Sequence, residues 1–159
     1  MDSLSMKSFK LSLFADYFQF YIRDETVTGD LSDAWNEEAV DRLLAIAPGT
    51  IGIGTVRNMD VPVVVEIRDR EPDDDSSEWD HVVEASLEVT SGRTVIAGCI
   101  DYFPDAMRIP VPAAVYRVRV SYGGLDTLSD DGLEGDDHYR LQLWPATSIA
   151  VCVLKQRPK

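Results

Sequence analysis

Cysteine and histidine are scarce in this sequence, with two of each in 159 residues. Two cysteines cannot build a disulfide framework, and they suit a reducing compartment. Cys99 and Cys152 each sit in an apolar run, VIAGCI and IAVCVL, where small core side chains are expected. Walker loop, GxSxG elbow, HExxH helix and CxxC pair are all missing, which removes the common nucleotide, hydrolase and zinc signatures. GTIGIGT holds a G-x-G, but it opens no helix, so a nucleotide reading fails on context. No run approaches the roughly 18 apolar residues of a membrane helix. The N-terminal MDSLSMKSFK has no apolar signal core, so a cytoplasmic protein is expected.

Basic charge is also in short supply. There are 28 acids against 15 lysines and arginines, a net charge of −13. The excess is local. Residues 69–88 carry nine acids and one base, and residues 126–138 carry six acids and none. Nucleic-acid binding needs basic surface, and so does adsorption on anionic lipid, so neither is expected.

What the chain does have is alternation. In residues 113–122, Tyr116, Val118, Val120 and Tyr122 fall on one side of an extended strand, with Arg117, Arg119 and Ser121 on the other. Such period-two patterning signals a strand with one face on a core and one in water. Pro110 and Pro112 limit where its pairing begins, and Gly123-Gly124 ends it. Similar patterns cover residues 7–14, 16–23 (Phe18, Phe20 and Ile22 on one face), 79–90, 94–100, 107–111, 139–144 and 149–155, and a phase change near Ala15-Asp16 suggests a bulge or tight turn between the first two. Residues 50–56 and 61–68 read as a hairpin. Glycines at 52 and 54 leave one face without side chains, which suits close packing of another element. One helix is expected over residues 36–47, capped by Asn36, with Glu37 and Glu38 at the positive end of its dipole. Trp35 is placed to staple it. The expected fold is a mainly β, antiparallel sandwich of about 8–10 strands with that one helix, a single domain over 1–159 ending in a basic tail at 155–159.

Three functional readings follow. In the first, the acidic connections bind another protein through Asp73, Asp74, Asp75, Asp130, Asp131, Asp136 and Asp137, with Trp79 and Tyr139 as aromatic anchors and no cofactor. In the second, Asp130, Asp131, Glu134 and Asp136 bind Ca²⁺ in a C2-like module, although LSDDGLEGDDHY lacks the alternating spacing of an EF-hand loop. In the third, His81, Asp101 and His138 form an enzyme site, which requires them to share one pocket. Asp80 and His81 are strand neighbours that point to opposite faces, so the first cannot orient the second. Arg117 and Arg119 are expected to pair with Glu84 or Glu88 on a neighbouring strand.

The order of landmarks resembles the competence protein J family, small bacterial nuclease inhibitors. The matching features are Tyr17-Phe18-Gln19-Phe20, Trp35 leading into Glu38-Ala39, the Ile51 strand running on to Arg57-Asn58, and Pro112 just before Tyr116. The chain also looks like a wider group of bacterial proteins sharing WDHVVEASLEV, AGCIDYFPDA and GLDTLSDDGLEGDDHYRLQLWP. The resemblance implies a β-sandwich that binds another protein, and the partner expected from it is a basic nuclease or toxin.

Overall fold

Two stacked sheets emerge from these alternating runs in the computed structural model, which describes residues 6–158. Lys159 of the expected basic tail lies outside the described residues. The elements in chain order are β1 (Lys7–Phe14), β2 (Gln19–Asp24), α1 (Glu37–Arg42), β3 (Leu44–Ala47), β4 (Thr50–Gly54), β5 (Asp60–Ile67), β6 (His81–Val89), β7 (Arg93–Gly98), β8 (Met107–Pro110), β9 (Ala114–Gly123), β10 (His138–Pro145) and β11 (Cys152–Lys155). One sheet has the order β1-β5-β10-β9-β6-β11 and the other β3-β4-β2-β7-β8. Pairing is antiparallel except that β10 runs parallel to β5. The sandwich and its single short helix are as expected.

The core lies between the sheets. Val83, Ala85, Leu87 and Val89 of β6 meet Tyr116, Val118, Val120 and Tyr122 of β9 on one wall. Phe20, Ile22, Ile51, Ile53 and Ile96 form the other. Each wall is one face of the period-two pattern, so burial of branched and aromatic side chains drives the stacking.

Several expectations are corrected. The helix stops at Arg42 because Leu43 turns left-handed at φ 60°. Its carbonyl accepts from Gly54 N at 2.9 Å and from the Tyr122 hydroxyl, partners that a continuing helix would displace. Leu44–Ala47 then pairs with β4 as a strand. Asn36 does cap the helix, accepting from Ala39 N at 2.9 Å. Trp35 is anchored on the sheet, where its indole N–H donates to Gln19 at 2.9 Å. A Cβ on Gly52 would sit 3.0 Å from that indole, so this glycine makes room for the ring.

The 50–68 stretch is not a hairpin, since β4 and β5 belong to different sheets and the turn between them crosses the sandwich. The same holds for β6 and β7. Both cysteines are exposed, Cys99 just beyond β7 and Cys152 on the edge strand β11. The outer side of β9 is not in water either: Arg119 and Ser121 are buried.

Candidate protein-binding surface

The cover over β9 is the first acidic connection. After β5, residues 69–78 cross the outer face of the β10–β9 pair. Arg119 explains the path. Its guanidinium donates to Glu84 on β6 at 2.8 Å, to the Asp73 carbonyl at 3.1 Å and to Glu71 at 3.3 Å. The Glu84 pairing is one of those expected from sequence. Arg140 of β10 grips Asp75 with two bonds of 2.7 and 2.8 Å and stacks 4.7 Å over the Trp79 ring. The Arg140 guanidinium holds the Asp75 carboxyl below its usual range. Asp74 accepts from Ser76 N at 2.9 Å, which shapes the turn locally. Asp73 and Asp74 remain exposed, whereas Asp75 is paired internally and Trp79 is half-buried.

The second connection, residues 124–137, leaves β9 at Gly124, whose φ of 65° suits glycine and where a Cβ would strike the Asp136 carbonyl. Asp80 accepts from Leu125 N at 2.9 Å, and Trp79 packs on His138 with ring centres 5.1 Å apart. The two acidic connections therefore meet where β9 ends.

The root of the second connection is an interior latch. Asp137 is buried, pairs with Arg57 at 2.5 Å and accepts the Tyr139 hydroxyl at 2.7 Å. Tyr139 in turn accepts from Val56 N at 3.1 Å, and burial pushes its hydroxyl pKa well up. Asp137 and Tyr139 were expected at the surface, but both sit inside it because they are in phase with the inward residues of β10. Beyond the latch, Asp126, Asp130, Asp131, Glu134 and Asp136 are all exposed. Asp131 accepts from the Ser129 hydroxyl at 2.6 Å and from Leu133 N at 3.0 Å, and the hydroxyl lowers its carboxyl pKa.

Among the described residues no three His, Cys, Asp or Glu side chains are arranged to hold a metal ion, so Asp130, Asp131, Glu134 and Asp136 do not gather into a Ca²⁺ cage. The two histidines lie apart. His81 is buried against Tyr122, with Nε2 2.7 Å from the Arg42 carbonyl and Nδ1 accepting from Arg157 N at 3.1 Å. Burial lowers its pKa. His138 is exposed against Trp79, and Asp101 caps the end of β7, accepting from Gly98 N at 2.8 Å. No shared pocket joins the three.

Sequence reasoning missed one feature. Phe18 was expected on the inner face of a strand, but it and Tyr17 form an exposed corner, 53% and 71% accessible, both at φ 59°. Left-handed backbone costs roughly 1–2 kcal/mol at a non-glycine residue, so two in a row are unusual. Thr55 N donates to the Phe18 carbonyl at 2.8 Å, and Phe18 N donates to Asn58 at 3.4 Å. The phase change at Ala15-Asp16 was the only sequence signal.

No protein-family model matches this chain, and no curated protein matches it. Two solved structures share its fold. ComJ from Bacillus subtilis, an inhibitor of the DNA-degrading activity of NucA, superposes with a TM-score of 0.70 at 20% identity, covering 89% of this chain and 98% of its own. The protein of crocagin biosynthetic gene J gives a TM-score of 0.62 at 20% identity, over 91% of this chain and 100% of its own. The architecture expected from the landmark residues is thus that of the nuclease inhibitor ComJ.

Proposed function

We propose that this chain is a cytoplasmic, non-enzymatic binding protein that blocks a basic nuclease or toxin through the second acidic connection. The observation carrying this reading is the division of its acids. Asp137 is held inside, while Asp126, Asp130, Asp131, Glu134 and Asp136 face solvent on a rooted loop, and Asp73 and Asp74 are exposed on the first connection. ComJ, which has the same fold, is an inhibitor of a nuclease, and that supports the class of partner.

The mechanism is electrostatic. A carboxylate-rich surface steers a cationic cleft into contact and then occupies the positions of nucleic-acid phosphates. The fold supplies the rooted loop, so the acids are held near their docking positions before the encounter.

The test is capture of the partner from the source cytoplasm, followed by titration calorimetry at about 50 and 300 mM salt. A partner of pI above about 9, bound at least tenfold more weakly in the higher salt, is expected. Affinity unchanged by salt, or by neutralising Asp126, Asp130, Asp131, Glu134 and Asp136 together, would overturn the proposal.

A further inference from the structure

The strained aromatic corner borders a pocket of about 320 Å³ lined by Tyr17, Phe18, Trp35, Val40, Leu43 and Thr55. That volume is at the lower end of the range for ligand sites. Its lining is mostly apolar, and Val40 is 58% exposed on the outer side of α1. Trp35 is fixed by its bond to Gln19, and Leu43 by the hydrogen bonds on its carbonyl. The walls are therefore preorganised.

The surroundings are acidic. Residues 30–41 contain five acids and no base, and Asp33, Glu37 and Glu38 are exposed. Glu37 stands one helical turn before Val40, so a carboxylate flanks the mouth. The nearest arginines are engaged elsewhere: Arg42 donates to the Leu44 carbonyl at 2.8 Å, and Arg57 pairs with Asp137.

The pocket also adjoins the acidic loop. Thr55 lines it, Val56 N donates to Tyr139, and Arg57 reaches both Asp137 and the Leu133 carbonyl. One short turn thus joins the aromatic corner to the root of the second acidic connection.

We propose that this pocket receives one large apolar side chain of the basic partner protein, set between cationic residues that meet the surrounding carboxylates. This inference rests on the protein-binding reading above and adds an anchor to it. The charge of the rim selects the occupant, since a bare apolar group would gain nothing from the acids. A single buried anchor in a preformed pocket, ringed by charge, is the usual arrangement of an interface hot spot.

The probes are two synthetic peptides, Lys-Arg-Lys-Phe-Lys-Arg-Lys and the same peptide with serine in place of phenylalanine, titrated into the protein and followed by amide NMR. The phenylalanine peptide should bind about tenfold tighter, with shifts at residues 17–18, 35, 40 and 54–55. Phe18→Gly removes the ring and relieves the backbone, so it should fold normally and lose the discrimination. Val40→Lys should do the same from the opposite wall. In both variants the salt-dependent binding of the serine peptide should persist.

Equal affinity of the two peptides with salt-dependent binding intact would overturn the anchor and leave the inhibitor reading standing. Binding of neither peptide would overturn both. Two further results would each overturn the proposal. In one, N-acetyl-phenylalaninamide fills the pocket as tightly as the basic peptide, which points to a small molecule. In the other, the same amides shift with protein concentration alone, which points to a second copy of the chain.

Discussion

The two acidic connections look alike as sequence and behave differently in the fold. Residues 69–78 lie on a sheet that presents Arg119 and Arg140 to them, and Glu71 and Asp75 pair with those arginines, Glu71 from the solvent side. Residues 124–137 leave the end of β9 with Arg57 paired to Asp137 at the root and donating to the Leu133 carbonyl, while the carboxylates of Asp126, Asp130, Asp131, Glu134 and Asp136 stay exposed. An acidic run therefore becomes a structural cover or a solvent-facing surface according to the arginines on the strands below it. The first connection screens and seals a charged sheet face. The second keeps its acids, Asp137 apart, in solvent.

This contrast can be broken most forcefully at Arg119. Arg119→Met should cost about 3–5 kcal/mol, because it leaves Glu84 buried without its cation. Urea unfolding would measure the loss, and hydrogen exchange should quicken across residues 70–78 while residues 126–134 stay as they were. Next in size is Asp137→Asn, which removes a charged partner of both Arg57 and Tyr139. A loss of about 2–3 kcal/mol is expected in the same assay, with faster exchange now confined to the second connection.

Asp75→Asn should cost no more than about 1 kcal/mol, since both members of its pair are partly exposed. Its pH dependence sharpens the point. The folded pKa of Asp75 lies below the ordinary 3.8, so the pair stabilises above that value and the contribution fades as pH falls through the folded pKa. The difference in urea midpoint between wild type and variant should therefore close in strong acid. The smallest stability effect belongs to the loop tip: Asp130→Asn and Asp136→Asn should each stay within about 0.5 kcal/mol. A large loss there would show that the second connection is also structural and would erase the distinction.

Much of the scaffold was legible because β-strands announce themselves at short range. Val83 to Val89 and Tyr116 to Tyr122 repeat every second residue, and these two apolar faces landed in the core as the pattern requires. The overrun of the helix was not legible, because the Leu43 carbonyl is claimed by Tyr122, 79 residues away. The burial of Arg119 depends on which loop covers which sheet, again a distant matter. The candidate site divides in the same way. The exposure of Asp130 and Asp136 agrees with a plain reading of a polar loop. Asp137 differs from its neighbour only in strand phase, two residues before the inward Tyr139, and that phase was the available signal. Tyr17 and Phe18 read as strand residues: the phase change at Ala15-Asp16 points to a bulge or tight turn, but nothing in it marks two left-handed residues in a row.

The buried carboxylate of Asp137, clasped by Arg57 and Tyr139, separates foundation from façade. Because the clasp is sealed within the body, the stretch from Asp126 to Asp136 is at liberty to drift without loosening what holds it. Seven of the eleven residues from Asp126 to Asp136 are exposed, so most substitutions along that stretch should leave the same architecture standing.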